Sequence, residues 1–354
     1  MAWQLLGQER VVDFLRRSLR DGRLSHAYLV VGPPHVGKMT LALGLAQAVN
    51  CEGEGPPCGQ CRSCLRIASG KHADLRVVSV TAVEATSRGR PRMEVSIDDI
   101  RELQRLASTP PYEGRHKVFI VDGAERLSTE AANCLLKTLE EPPPRVLLLL
   151  LTAREQALLP TVVSRCQRLE LKPLPAASSR ELLVRHYGVE VGKADLLARL
   201  SGGCLGWALS ALKDGELLEQ RRQDLATLVG VTAMGYEERF ALAAGWLRHL
   251  EQSREALEQL LDLWACWWRD LLLVKAGCPA AITNIDCESD LAMHAAVLTT
   301  AEVRDALVGV QEAKEQLAVN ASPRLVLEML MLNMPKKAVG QAAHSASGNR
   351  VGRR

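Results

Sequence analysis

Three groups of residues in this chain have types and spacing that could do chemistry. The first is Gly32-Pro33-Pro34-His35-Val36-Gly37-Lys38-Met39-Thr40, close to the phosphate-loop pattern G-x-x-x-x-G-K-[S/T]. In such a loop, main-chain N–H groups face phosphate oxygens at the positive end of the following helix, and the lysine reaches the outer phosphates. Met39 stands where a hydroxyl would hold Mg²⁺. Thr40 comes one residue later, which on a helix turns its side chain about 100° away. Asp122 closes the apolar run Val118-Phe119-Ile120-Val121 and suits a carboxylate that orients Mg²⁺. Gly123 follows, where a hydrolysing site would place a glutamate base. Glu125 is the nearest substitute and reads as a solvated residue in the first turn of a helix. With both the hydroxyl and the adjacent base missing, the residues argue against turnover. Whether Lys38 still holds a nucleotide is left open.

The second group is Cys51, Cys58, Cys61 and Cys64, spaced C-x6-C-x2-C-x2-C. Two C-x2-C turns bring sulfurs to one point, as a tetrahedral zinc site requires, and no ligand position is left over for catalysis. We therefore expect one structural Zn²⁺, with an iron–sulfur cluster as the alternative that the same ligands allow. The third group is Ser164-Arg165-Cys166. Taken alone, Arg165 reads as a surface arginine in an ion pair.

These groups need elements to position them. Ala27 to Val31, Leu75 to Val78, Lys117 to Val121, Val146 to Leu151 and Gln167 to Leu171 read as strands. Helical patterns separate them, as at 97–107, so a parallel sheet covered on both faces is expected over residues 1–172, with the cysteine module at 51–64. Lys172-Pro173-Leu174-Pro175 breaks both helix and sheet and marks a hinge. A small helical domain follows at 173–212, then a helical bundle at 213–335. The segment 336–354, with Lys336, Lys337, Arg350, Arg353 and Arg354, has too few apolar residues to fold alone and is expected to be a disordered basic tail. Trp264 and Trp268 share a helix face four residues apart, and are weighed equally as bundle core and as subunit interface.

A net charge of +3 over 354 residues neither demands nor excludes nucleic acid, and 4% aromatic content argues against a broad base-stacking surface. There is no apolar segment of signal-peptide type, and the longest apolar run, Val146 to Leu151, is too short for a bilayer. A cytoplasmic protein is expected, in a compartment that keeps thiols reduced.

The chain resembles the clamp-loader branch of the AAA+ ATPases. The resemblance runs through Leu6-Gly7-Gln8, His26-Ala27-Tyr28-Leu29, the phosphate loop and the cysteine module. It continues through Leu135-Leu136-Lys137-Thr138-Leu139-Glu140-Glu141-Pro142-Pro143, Ser164-Arg165-Cys166 and Pro323-Arg324-Leu325. It implies an α/β P-loop (AAA+) domain with an inserted zinc module, a small helical lid domain and an all-α collar. It also implies that Arg165 is an arginine finger that reaches a neighbouring subunit's ATP, with Ser164 and Cys166 as its motif neighbours. Thr152 would be the polar residue after the fourth core strand. Gly206 would stand where the family's lid carries a nucleotide-sensing arginine. The implied partners are the other subunits of a hetero-oligomeric ring, a sliding clamp and, through the complex, primed DNA. The departures all lie in the chain's own site (Gly32, Gly37, Lys38, Met39, Thr40, Asp122), so any ATP or ADP there would be structural. The expected role is a non-hydrolysing subunit that completes a neighbour's site. The alternatives are an ATP-hydrolysing subunit of the same loader and a zinc-dependent DNA-binding regulator.

Overall fold

The computed structural model describes Trp3 and residues 5–80, 94–250, 254–318 and 321–336. The basic tail beyond Lys336 lies outside them. The chain divides into two compact units, Met1–Leu209 and Ser210–Arg354.

The first unit is built on a five-stranded sheet: β1 (Ala27–Val31), β2 (Leu75–Ser79), β3 (Lys117–Asp122), β4 (Val146–Thr152) and β5 (Gln167–Glu170). The order is β2-β3-β4-β1-β5 and every pairing is parallel. β4 is buried along its whole length, whereas the edge strands β2 and β5 carry exposed positions. This explains why Val146 to Leu151 is an unbroken apolar run: both faces of a central parallel strand are covered.

Successive residues feed opposite faces. Tyr28, Val30, Leu147, Leu149 and Leu151 pack with α1 (Glu9–Arg20) and α2 (Lys38–Asn50) through Leu15, Leu41 and Leu45. Ala27, Leu29, Phe119, Leu148 and Leu150 face the other way. Following α3 (Arg62–Ala68) in the chain, α4 (Ile97–Ala107) and α5 (Thr129–Glu140) cover that second face with Ile100, Leu103, Leu135 and Leu139. Ser96 and Asp99 close a capping box on α4, and Ser128 Oγ accepts the Ala131 N–H at the start of α5. Short α6 (Pro160–Val163) follows β4. Then come α7 (Ala176–Tyr187), α8 (Val191–Leu200) and α9 (Leu205–Lys213).

A buried carboxylate fixes the approach to β3. Asp74 accepts main-chain N–H bonds from Tyr112, Glu113 and Gly114 at 2.7–2.8 Å, and Asn50 Oδ1 takes those of Arg115 and His116. Burial works against the Asp74 charge, yet the three N–H donors hold its carboxyl below the usual carboxylate range. Because the folded value is depressed, this contribution is complete above the unfolded carboxylate pKa, about 4, and is lost as pH falls through the folded value. Acid unfolding followed by circular dichroism is expected to show a weaker pH dependence below about pH 4 in Asp74→Asn than in the parent.

The second unit is helical: α10 (Gly215–Val231), α11 (Tyr236–Leu250), α12 (Arg254–Lys275), α13 (Glu288–Val297), α14 (Thr300–Ala318) and α15 (Pro323–Asn333). Trp264, Trp267 and Trp268 are at most 1% exposed and form its core with Leu261, Leu271, Val310 and Leu327. This decides the tryptophan question in favour of core: rings closed off inside their own unit are not available as an interface. Trp246 and Trp264 meet edge to face with centroids 5.1 Å apart.

Arg239 is fully buried there without a carboxylate partner among the described residues. Its guanidinium donates to the carbonyls of Val231, Met331, Met334 and Pro335 at 2.7–3.0 Å. These carbonyls lie at and just past the C-terminal ends of α10 and α15, where helices leave acceptors without partners and a cation is favoured.

Candidate functional site

The sheet order gathers the first site. The chain leaves β1, crosses to the far edge at β2 and returns, so β4 ends beside β1. In this order the crevice beyond the carboxyl ends of the strands lies at a topological switch. Val31 pairs with Thr152, Asp122 pairs with Leu151, and the Gly32 N–H donates to the Thr152 carbonyl at 3.2 Å. The loop therefore springs from β1 beside Thr152 at the end of β4, and Asp122 closes β3, one strand further from β1.

Gly37 adopts φ 108°, a conformation open to glycine, and the Leu5 side chain lies where a Cβ would stand, 2.5 Å away. Lys38 Nζ donates to the carbonyls of Gly32 at 2.7 Å and Pro33 at 2.8 Å. An ammonium has three donors, so one remains for an anion. Burial lowers the Lys38 pKa, while the carboxylates of Glu125 and Asp122 act in the opposite direction.

The two departures have physical form. Met39 is half-buried and packs against the apolar cluster under α2, so its side chain belongs to the core. Thr40 is exposed on α2. Gly123 takes φ 75° and ψ 49°, a left-handed turn that a glutamate would enter only under strain. The Thr152 hydroxyl is buried and accepts the Arg154 N–H at 3.0 Å.

Glu125 corrects the sequence reading. It is half-buried and not solvated: Oε1 accepts the Ala153 N–H at 3.4 Å, and Oε2 is enclosed without a hydrogen-bond partner among the described residues. The left-handed Gly123 starts a 3-10 turn, Ala124–Arg126, in place of the expected α-helix. That turn carries residue 125 toward the end of β4. No periodicity argument could place it, because the turn depends on one backbone angle.

Position 206 also has a cause. The Gly206 N–H donates to the His35 carbonyl at 3.0 Å, and a Cβ on Gly206 would stand 2.5 Å from that oxygen. The first turn of α9 is fastened to the phosphate loop by main chain. An arginine there would not fit without separating them.

The cysteines converge. The sulfurs of Cys51, Cys58, Cys61 and Cys64 lie within 4.8 Å of one another, against an edge of about 3.8 Å for tetrahedral Zn–S bonds of about 2.3 Å. Each turn gives its sulfur a main-chain donor: Cys58 N–H to Cys51, Cys61 N–H to Cys58 and Cys64 N–H to Cys61, at 3.3–3.4 Å. Such donors from Gln60 and Cys61 bring the Cys58 thiol down to about 6, toward the thiolate a metal needs. Burial pushes buried Cys64 up. Gln47, buried on α2, holds the module through the Cys64 carbonyl at 2.9 Å. The donor set fits a closed metal site.

Arg165 follows the last turn of α6 at the surface. Nη1 donates to the Thr161 carbonyl at 3.0 Å and to Ser164 Oγ at 3.3 Å, and Nη2 meets Glu140 Oε1 at 2.7 Å. Cys166 packs against the core of the second sheet face, and burial pushes its thiol up to about 12. Within the triplet, serine braces the arginine and cysteine anchors the turn.

A parallel sheet with a phosphate loop after its first strand and a switch point at its carboxyl edge defines a P-loop α/β protein. Residues 7–175 match the family model described as "DNA polymerase III, delta subunit". The chain is 30% identical over 326 residues to DNA polymerase III subunit delta′ of Bacillus subtilis, covering 92% of this chain and 95% of that protein. It is 38% identical over 213 residues to DNA polymerase III subunit tau of Escherichia coli, covering 58% of this chain and 31% of that longer protein. A gamma subunit-related protein from Thermotoga maritima of known crystal structure superposes with a TM-score of 0.41 at 18% identity, over 91% of this chain and 97% of that one. The chain belongs to the DNA polymerase III delta′ family. No helix among the described residues is long and apolar enough to cross a membrane.

Proposed function

We propose that this chain is a non-hydrolysing subunit of a DNA polymerase III clamp loader, and that it supplies Arg165 to ATP bound by a neighbouring subunit. The observation that carries the reading is the state of its own site. Met39 is committed to the core and Gly123 to a left-handed turn, so neither a Mg²⁺ hydroxyl nor an adjacent base faces the loop. The arginine, by contrast, is presented at the surface. The layout attached to this role is an AAA+ core at 1–172 with a zinc module at 51–64, a lid at 173–212 and a collar at 213–335 that joins the ring. Its partners are the other loader subunits, the sliding clamp and, through the complex, primed DNA. A nucleotide at Lys38, ATP or ADP, would be structural.

The hydrolysing alternative rests on Glu125, which has one oxygen enclosed without a hydrogen-bond partner among the described residues and whose carboxylate charge acts on Lys38. It leaves Mg²⁺ without its hydroxyl. A turnover assay on the isolated chain separates the two: no Mg²⁺-dependent ATP hydrolysis is expected, in the parent or in Lys38→Ala. Hydrolysis in the parent that Lys38→Ala abolishes would make this a motor subunit.

Zn²⁺ would be held by Cys51, Cys58, Cys61 and Cys64, where it would tie the segment after α2 to α3. Protein purified without added metal is expected to contain about one zinc per chain, and Cys58→Ser to contain none. Metal-free parent protein that keeps its fold would refute this.

A further inference from the structure

We infer that Glu140 is a positioning residue for Arg165, holding the guanidinium in one orientation before it meets a neighbour's nucleotide. The inference rests on the finger reading given above.

Glu140 is the last residue of α5, and a carboxylate at a helix C-terminus is disfavoured by the helix dipole. A cation beside it offsets that repulsion, and the cation present is Arg165, 2.7 Å away on a different element. The guanidinium is held at two nitrogens. Nη1 gives its two hydrogens to the Thr161 carbonyl and Ser164 Oγ, both local to α6, and Nη2 lies 2.7 Å from Glu140 Oε1 in an ion pair. The local pair alone would let the head rotate about Nη1. The contact from α5 removes that freedom.

Nε–H and the Nη2 hydrogens enter no hydrogen bond among the described residues, and the edge they share is the fork that a pair of phosphate oxygens would take. A free arginine must surrender its rotamer freedom on engagement, and one already ordered surrenders less. The carboxylate also brings negative charge toward the phosphate, but Glu140 is 52% exposed, so water and salt screen that repulsion. Orientation therefore outweighs repulsion.

The test uses the assembled loader with its ATP-hydrolysing subunits. Glu140→Ala is expected to lower kcat at the one site Arg165 serves, read by single-turnover kinetics at that interface, about three- to fivefold, the upper span of an exposed ion pair, with KM for ATP unchanged. Glu140→Gln keeps an oxygen acceptor and is expected to restore most of kcat. In an Arg165→Ala background, Glu140→Ala should change nothing further, because it acts through Arg165. An unchanged or raised kcat in Glu140→Ala, a failure of Gln to rescue, or an additional loss in the Arg165→Ala background would each overturn the inference. If Arg165→Ala is itself silent, the finger reading falls and takes this one with it. If Arg165→Ala is impaired while Glu140→Ala is not, only the positioning role falls. Thermal unfolding of Glu140→Ala is expected to match the parent, since the position is half exposed.

Discussion

Alanine at position 165, in a loader assembled with its hydrolysing subunits, is expected to cut ATP turnover by about 10³-fold at the one nucleotide site the arginine serves. Whole-loader turnover would fall only by that site's share, so single-turnover kinetics at the affected interface is the sharper measurement. Lysine at 165 is expected to recover little. It offers a point charge where a planar fork makes two parallel bonds to phosphate oxygens, and it cannot reach the Thr161 carbonyl, Ser164 Oγ and Glu140 together. The subunit's own stability should hardly change, because the Arg165–Glu140 pair is 35% and 52% exposed and such pairs contribute at most about 1 kcal/mol. Loss of turnover with a preserved melting temperature is therefore the signature of a role in trans. Full turnover in the mutant would remove the finger assignment and leave Arg165 as a brace between α5 and α6.

A large effect of another kind is expected at Arg239. Methionine there approximates the length of the side chain but strips the donors from the carbonyls of Met331, Met334 and Pro335, while Val231 keeps the Met234 N–H at 3.2 Å. Buried acceptors without partners cost about 1–3 kcal/mol each, partly relieved where water can enter. A net loss of roughly 3–5 kcal/mol is expected, within the range that buried-network disruption produces. In calorimetry this would lower the melting temperature of the helical unit by roughly 10 °C. Lysine should recover less than half, since one ammonium cannot span acceptors on two helix ends. Tyr236, whose ring lies 5.9 Å from the Arg239 guanidinium carbon and 4.8 Å from Lys336 Nζ, would keep its contact with Lys336. A loss below about 1 kcal/mol would mean that water satisfies those carbonyls.

Arg239 was invisible in the sequence. It is one basic residue among many in a helical segment, and nothing local distinguishes a fully buried arginine from a solvated one. Its acceptors lie eight residues away at Val231 and more than ninety away near the end of α15. The same holds for Asp74 and Asn50, which organise the loop before β3 from positions far back in the chain.

What the sequence determined by itself was whatever depends on short-range pattern. The five strands stand within a residue or two of the expected segments, and the inner strands β1, β3 and β4 were the clearest, because a central parallel strand must be continuously apolar and a run of that kind is local. The phosphate loop and the four cysteines were legible for the same reason: turn geometry and ligand spacing are written in contiguous residues. What only the tertiary structure decided depends on single backbone angles or on distant partners. The φ of Gly123 turned Glu125 inward. The closeness of Gly206 to the His35 carbonyl made the lack of a side chain at 206 a packing requirement. The closure of the helical unit around Trp264 and Trp268 removed them from the surface. And the end of α5 beside α6 gave Arg165 a carboxylate partner at 2.7 Å.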